Sequence, residues 1–379
     1  MVIIKLRKNS STNQLICNIL NETITLFFYK FKTVSNTHTL IGNNAKPDID
    51  HILVINTYAD SNPWSNSLIN PILDMASKNN KIGVVTAHLK MLAVDNQDDL
   101  KKIKESLFQK LPSQTPKLIV MIGCASYILC DELNNQWPDV PMLLCGERDY
   151  TGPEELITTG EPITPEQRIP VSNLHEKFNL TFMYAHNYLE ENIQLMKQLI
   201  PQLENIIYIG DRTYICRQNN YDLSEVLQEK HPELKYQFLS AENISTDSLF
   251  TILNHQNQQT TGVLFTSWIR KQDFTDNLVM TTNSHRIIAT VSIPLFSFRT
   301  VGIKEEGGIV GGYVYNEKRY ISQLLTNIDD IINGKPARDI PFYQIDNGAP
   351  VFNYQSLLQR NLDPSRCPQS TIFFNAPPT

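Results

Sequence analysis

The chain has no excess of basic residues: 33 Lys and Arg stand against 39 Asp and Glu, for a net charge of −6. With no basic stripe and no zinc-finger spacing, nothing answers the demand of a phosphate backbone, and nucleic-acid binding is excluded. Its six cysteines, Cys17, Cys124, Cys130, Cys145, Cys216 and Cys367, form no CxxC pair, which argues against a structural zinc site. Free thiols packed as small hydrophobes are the simpler reading, with Cys124 and Cys145 placed as neighbours at two strand ends. Cysteine usage therefore leaves the compartment open. The sequence also lacks a GxxxxGK loop followed by Ser or Thr, a GxGxxG turn and an HExxH helix. Ser126 lies in GCAS rather than GxSxG, so a hydrolase elbow is not expected. No cofactor is implied. Long apolar runs are missing too. The best N-terminal stretch, Leu15–Phe28, is broken by Asn18, Asn21, Glu22 and Thr23. A membrane-spanning helix needs about 20 mainly apolar residues, and a signal peptide an unbroken run of about 7–15. A soluble chain, or a soluble fragment of a longer one, is expected.

What is present is a recurring pattern of strand-like apolar runs that end in small or polar residues. The first round is HILVINTYADSNPW (51–64), KIGVVTAHL (81–89), KLIVMIGCAS (117–126) and PMLLCGERD (141–149). A second follows in NIIYIGDRT (205–213), LKYQFLS (234–240), GVLFTSW (262–268) and PLFSF (294–298). Helix-length segments separate most of them. Near-continuous β-branched runs fit buried parallel strands. Two βα rounds in 379 residues, 41% of them hydrophobic, predict two α/β lobes.

Helices are expected from Trp64 or Ser65 to Lys78, over 97–111, Tyr127–Asn135, 188–203, Ser224–Lys230, Thr246–Asn257 and 317–333. In the segment 97–111, Leu100, Ile103, Leu107 and Leu111 recur at helical spacing. Helix 317–333 is closed by Gly334 and Pro336. Residues 150–180, with Pro153, Pro162, Pro165 and Pro170, form a long connection of the functional or linking kind. Residues 1–48 read as a poorly ordered leader. The tail should hold a strand over Ile340–Ile345 and a short helix over Tyr354–Gln359.

The order of INTYADSNPW, IVMIGCAS, the crossover from NLTFMYAHNYLEEN to NIIYIGDRT, GVLFTSW and IPLFSFRTVGIKEEGGIVGGYVY…GKPARDIPF resembles the substrate-binding proteins of ABC transporters with the type I periplasmic fold. The likeness spans about residues 50–379 and rests on order and spacing, since no single motif is diagnostic. It is most similar to the extracytoplasmic sensor domain of bacterial two-component histidine kinases. The resemblance implies an α/β fold of two doubly wound parallel-sheet lobes joined by three crossovers. It puts 49–183 and the returning 315–379 in a first lobe and 184–314 in a second. It implies an extracytoplasmic domain that binds a small molecule and signals by lobe closure, without enzymatic activity. Contact with a membrane would come only through a parent chain or a partner, and a homodimer is left open. The alternatives are a solute-binding protein of an ABC transporter and an enzyme on a similar scaffold.

In open parallel sheets, ligands lie beyond the carboxyl ends of the strands. That rule selects Ser61, Asn62 and Trp64 after the first strand, Ala125 and Ser126 after the third, and Glu147, followed by Arg148, after the fourth. In the second lobe it selects Asp211, Arg212, Ser267, Trp268 and Phe298. Tyr184 and His186 lie on the crossover, which in the family tends to face the cleft. Each has a plainer reading. Trp64 and Trp268 can cap lobe edges, Ser126 can be an N-cap, Asp211 and Arg212 a surface pair, and His186 a structural histidine. The glycines of GGIVGG allow a bend or a close backbone approach.

Overall fold

A computed structural model describes residues 49–379, apart from 59, 61, 80–81, 90, 92–93, 273–274, 280–289, 305–307, 345–347 and 379. The expected leader, with its helix or strand near 14–31, and Ser61 lie outside the described residues.

The strands in chain order are β1 (Asp50–Asn56), β2 (Ile82–His88), β3 (Leu118–Ile122), β4 (Met142–Gly146), β5 (Tyr150–Thr151), β6 (Ile169–Pro170), β7 (Leu180–Tyr184), β8 (Asn205–Gly210) and β9 (Lys235–Ser240). They continue with β10 (Thr261–Phe265), β11 (Arg270–Gln272), β12 (Thr275–Val279), β13 (Leu295–Ser297), β14 (Gly311–Val314), β15 (Tyr343–Gln344), β16 (Ala349–Asn353) and β17 (Ile372–Phe374). One sheet has the order β15-β7-β4-β3-β1-β2 and the other β17-β16-β14-β13-β10-β8-β9. The first is parallel throughout. In the second, only the β14–β16 pairing is antiparallel. The first five strands of each sheet follow one plan, with the third strand returning on the far side of the first. Each sheet therefore has its switch point there.

Strand periodicity decides the core. Leu53, Ile55, Ile119 and Met121 face one side of the first sheet, and Ile52, Val54, Val120 and Ile122 the other. In the second sheet, Ile207, Ile209 and Val263 part in the same way from Ile206, Tyr208 and Leu264. Both sheets are covered on both faces, which is why their central strands are apolar at nearly every position.

Helices cover these faces where the spacing predicts them. Helix Pro63–Ser77 starts with Pro63 in its first turn and the Asn62 side chain accepting from Ser65 N at 2.9 Å. Helix Gln97–Lys110 buries Leu100 and Leu107. Helix Tyr214–Lys230 begins ten residues earlier than Ser224, because Thr213 caps it. Helix Glu317–Ile332 turns Tyr320, Leu324, Ile328 and Ile331 onto the first sheet, and Tyr320 OH donates to Met183 O at 2.8 Å.

The chain passes between lobes after β7, after β14 and after β15. The tail departs from expectation. β16 pairs with β14, and β17 with β16, so residues 349–374 extend the second sheet rather than the first. The physical reason is an open edge on β14. Its glycines let both neighbours approach closely: a Cβ on Gly311 would lie 2.1 Å from Phe352 Cδ1 of β16, and one on Gly312 2.0 Å from Ser297 O of β13. Close approach is thus the role of this half of GGIVGG. The strand expected over Ile340–Ile345 reduces to β15, after a 3-10 turn at Ala337–Asp339.

Candidate functional site

The carboxyl ends of both sheets meet at the seam between the lobes. After β1, Tyr58 and Trp64 stand edge to face with centroids 5.8 Å apart. Trp64 is buried, and its Nε1 donates to Tyr315 OH at 2.8 Å. Tyr315 follows β14, so this bond ties the end of the second lobe's sheet to the first lobe. Tyr58 OH donates to the buried Glu147 carboxylate, which also accepts from Cys124 N at 3.4 Å. Burial, then the facing Glu147, pushes the Tyr58 phenol well up, so it stays a donor at neutral pH.

Arg299, just after β13, crosses toward the first lobe. Its guanidinium lies 5.7 Å from the Trp64 ring centroid and 5.2 Å from that of Tyr315. It also donates to Ala185 O at 3.0 Å and His186 O at 3.3 Å. On that crossover alternate residues bring their rings into contact. Tyr184 meets His186 at 5.0 Å, and His186 meets Tyr188 at 4.5 Å. Tyr188 then meets Tyr313 of β14 at 5.1 Å. Burial raises Tyr184 and Tyr188 to about 12. The buried Nδ1 of His186 has no partner.

Ion pairs close the same seam. Arg148, 4% exposed, donates to Asn219 Oδ1 at 2.5 Å and pairs with Asp222 at 3.0 Å. Arg168, on the long connection, takes the other Asp222 oxygen at 3.0 Å. Ile163 N donates to Gln218 Oε1 at 2.8 Å, and Arg217 reaches Glu161 at 3.5 Å. The proline-rich connection is thus the part of the first lobe that grips helix Tyr214–Lys230.

The residues selected from sequence sort into groups. Trp64, Glu147, Tyr184 and His186 come together at the seam. Asn62 stands beside them as the N-cap of the Trp64 helix. Arg212 also reaches across, pairing with Asp95 and donating to Val94 O at 2.5 Å, but this locks lobe to lobe. Asp211 does not pair with Arg212. It is fully buried, accepting from Thr213 N at 3.0 Å, Thr213 Oγ1 at 2.6 Å and Ser267 Oγ at 2.6 Å, which uses both Asp211 and Ser267 inside the second lobe. Trp268 lies in that lobe's core with Nε1 on Thr246 Oγ1 at 3.1 Å, and Phe298 packs on the opposite face of the sheet.

Ala125 and Ser126 are buried in a 3-10 turn, Cys124–Leu129, that precedes helix Cys130–Gln136. Gly123, at φ +92°, turns the chain there, and Ser126 donates to Gly123 O at 2.7 Å instead of capping the helix. Sequence reasoning left out Tyr58, Tyr188, Arg299, Tyr315, Asn219 and Asp222. An arginine directly after an apolar strand end was the available signal for Arg299, since desolvating that charge demands nearby partners.

The cysteines Cys124, Cys130, Cys145, Cys216 and Cys367 are free thiols, and burial pushes Cys130, Cys145 and Cys216 up to about 12. Among the described residues, no three His, Cys, Asp or Glu side chains are placed to hold a metal ion, and no helix is long and apolar enough to cross a membrane.

No family model and no curated protein matches the chain. Solved structures do. One is the ABC domain in complex with L-Trp from Streptococcus pneumonia: TM-score 0.56, 12% identity, covering 86% of this chain and 100% of that one. A conserved domain protein from Vibrio cholerae gives TM-score 0.53 and 11% identity over 86% and 99% of the two chains. An uncharacterized protein from Actinobacillus succinogenes gives 0.51 and 9% over 79% and 97%. At these identities the likeness establishes the fold, that of the type I periplasmic binding proteins.

Proposed function

We propose that this chain is an extracytoplasmic solute-binding protein of an ABC transporter, which holds a small molecule between its lobes and performs no chemistry on it. The observation that carries this is the seam itself. Aromatic walls from the first lobe and the crossover after β14 (Tyr58, Trp64, Tyr184, Tyr315) stand around a few fixed polar groups, Glu147 and, from the second lobe, Arg299 among them. Such a mixture is the usual make-up of a small-ligand site, and it lies where strand ends direct one. Closure follows from a ligand that contacts both lobes at once, since only the closed form offers it both sets of contacts.

The sensor-domain reading rests on motif order alone. The likeness to the ABC domain in complex with L-Trp favours the transport reading over it. L-tryptophan is therefore the first ligand to test. A thermal-shift screen of the purified chain against amino acids, sugars and nucleosides tests the reading, because a bound ligand raises apparent stability by mass action. A ligand-dependent rise with a matching decrease in radius of gyration by small-angle scattering is expected. Absence of any stabilising compound across these classes would overturn it.

A further inference from the structure

Three polar side chains at the seam are buried and left with an unpartnered donor. Arg148 is 4% exposed, Tyr150 7% and Tyr214 6%. Arg148 Nε, Tyr150 OH and Tyr214 OH have no hydrogen-bond partner. Buried polar atoms are paired in the great majority of cases, and each exception calls for an explanation. These three share one place, whereas others, such as His51 Nε2 and Thr261 Oγ1, lie elsewhere. Tyr150 opens β5, two residues from Arg148, and its ring carries the Arg168 guanidinium at 4.5 Å. Arg168 and Arg148 share the two oxygens of Asp222. Tyr214 opens helix Tyr214–Lys230 of the other lobe and belongs to the same apolar cluster as Tyr150 and Cys124. The three donors thus come from both lobes and converge on the strand-end seam.

All three can donate. Arg Nε–H can only donate, and burial holds both phenols protonated, so each offers O–H. Two guanidinium groups share the one Asp222 carboxylate, and the Arg148 Nε–H is left over from that pairing. Unpartnered donors set around a guanidinium fit an anionic acceptor.

We propose that Arg148, Tyr150 and Tyr214 form the subsite for a carboxylate of the bound molecule, so that the substrate class is small carboxylic acids. This rests on the binding function proposed above. The carboxylate takes one donor from Arg148 and one phenol from each lobe, and so couples occupancy to closure.

The test uses matched probes on the full chain. L-tryptophan, L-tyrosine, L-phenylalanine, indole-3-acetate and succinate are each compared with the corresponding amide, with arabinose and adenosine as carboxyl-free comparators. Thermal shift finds binders and calorimetry measures them, on the wild type and on Tyr150→Phe and Tyr214→Phe. At least one acid is expected to bind while its amide does not, and each variant should weaken that acid about tenfold. Both variants should keep or raise the melting temperature of the free protein, because the hydroxyl removed has no partner there. An amide that binds as well as its acid, a carboxyl-free comparator as the binder, or wild-type affinity in both variants overturns the subsite and leaves the binding function standing. No binding by any probe overturns both.

Discussion

The Arg299 guanidinium of the second lobe lies over the Trp64 ring of the first, 5.7 Å from its centroid, while its nitrogens bond the carbonyls of Ala185 and His186 on the crossover. One side chain thus connects a cleft wall to a hinge. Arg299→Ala removes a cation–π contact of about 0.5–2 kcal/mol and charge-assisted bonds to backbone carbonyls of about 1.5–3 kcal/mol. Open lobes are expected, read as a larger radius of gyration, with at least tenfold weaker ligand binding. Arg299→Lys should recover only part, because an ammonium cannot lie flat on the ring and hold two carbonyls at once. Wild-type dimensions in both variants would remove Arg299 from the closure mechanism.

Asp222 holds Arg148 and Arg168 together from across the seam. Arg148 is buried, so Asp222→Asn leaves a guanidinium with its charge uncompensated, a loss of about 3 kcal/mol in buried pairs. The closed form alone should bear that loss, since opening returns Arg148 to water. The expected result is faster hydrogen exchange over Ile163–Arg168 and helix Tyr214–Lys230, with little change in the core strands. Uniform destabilisation of the whole chain would mean that Asp222 serves the fold rather than closure.

How far the sequence reads is clear from which residues it placed. Strand ends are legible because apolar periodicity stops there, and Trp64 and Glu147 follow directly. Asn219 and Asp222 are not legible. They sit inside a helix, and the face they present matters only once the lobes meet. Trp268 follows a strand end as Trp64 does, yet its ring turns into the second lobe's core. Spacing gives position along a chain, not the rotamer. The placement of β16 and β17 also escaped the sequence, because an edge takes whichever strand is free to pair with it, and this is a long-range event.

Trp268 separates stability from binding. Its removal leaves a cavity in the core cluster that holds Ile207, Val263 and Leu295, and Trp268→Ala should cost about 3–5 kcal/mol. Trp268→Phe keeps most of the volume and loses the 3.1 Å bond to Thr246, about 1 kcal/mol. Trp64→Phe loses its 2.8 Å bond to Tyr315 at a similar cost of about 1 kcal/mol, but should also weaken ligand binding by calorimetry. Reduced affinity in Trp268→Phe, with Trp64→Phe unaffected, would reverse the two assignments.

Two histidines set the acid side of the stability profile. His51, at the start of β1, is buried with Nε2 unpartnered, and burial lowers its pKa against the opposing pull of Asp50. His186, on the crossover, is lowered by burial first. Glu191 and Asp149 pull it up, and Arg148 and Arg299 push it down. Both native values lie below the unfolded value of about 6.5. As pH falls through 6.5, the unfolded chain takes up protons that the native chain refuses, so stability is lost down to the depressed native values. Above 6.5 both rings are neutral in either state and their contribution is fully present. Melting temperature should therefore decline between pH 7 and pH 5. His51→Gln and His186→Gln should each flatten the slope in that window, while differing in absolute stability. The His186 variant should also make lobe closure less pH-dependent by scattering, because that ring contacts Tyr184 and Tyr188 on the hinge. An unchanged slope in the double variant would assign the acid response to carboxylates instead.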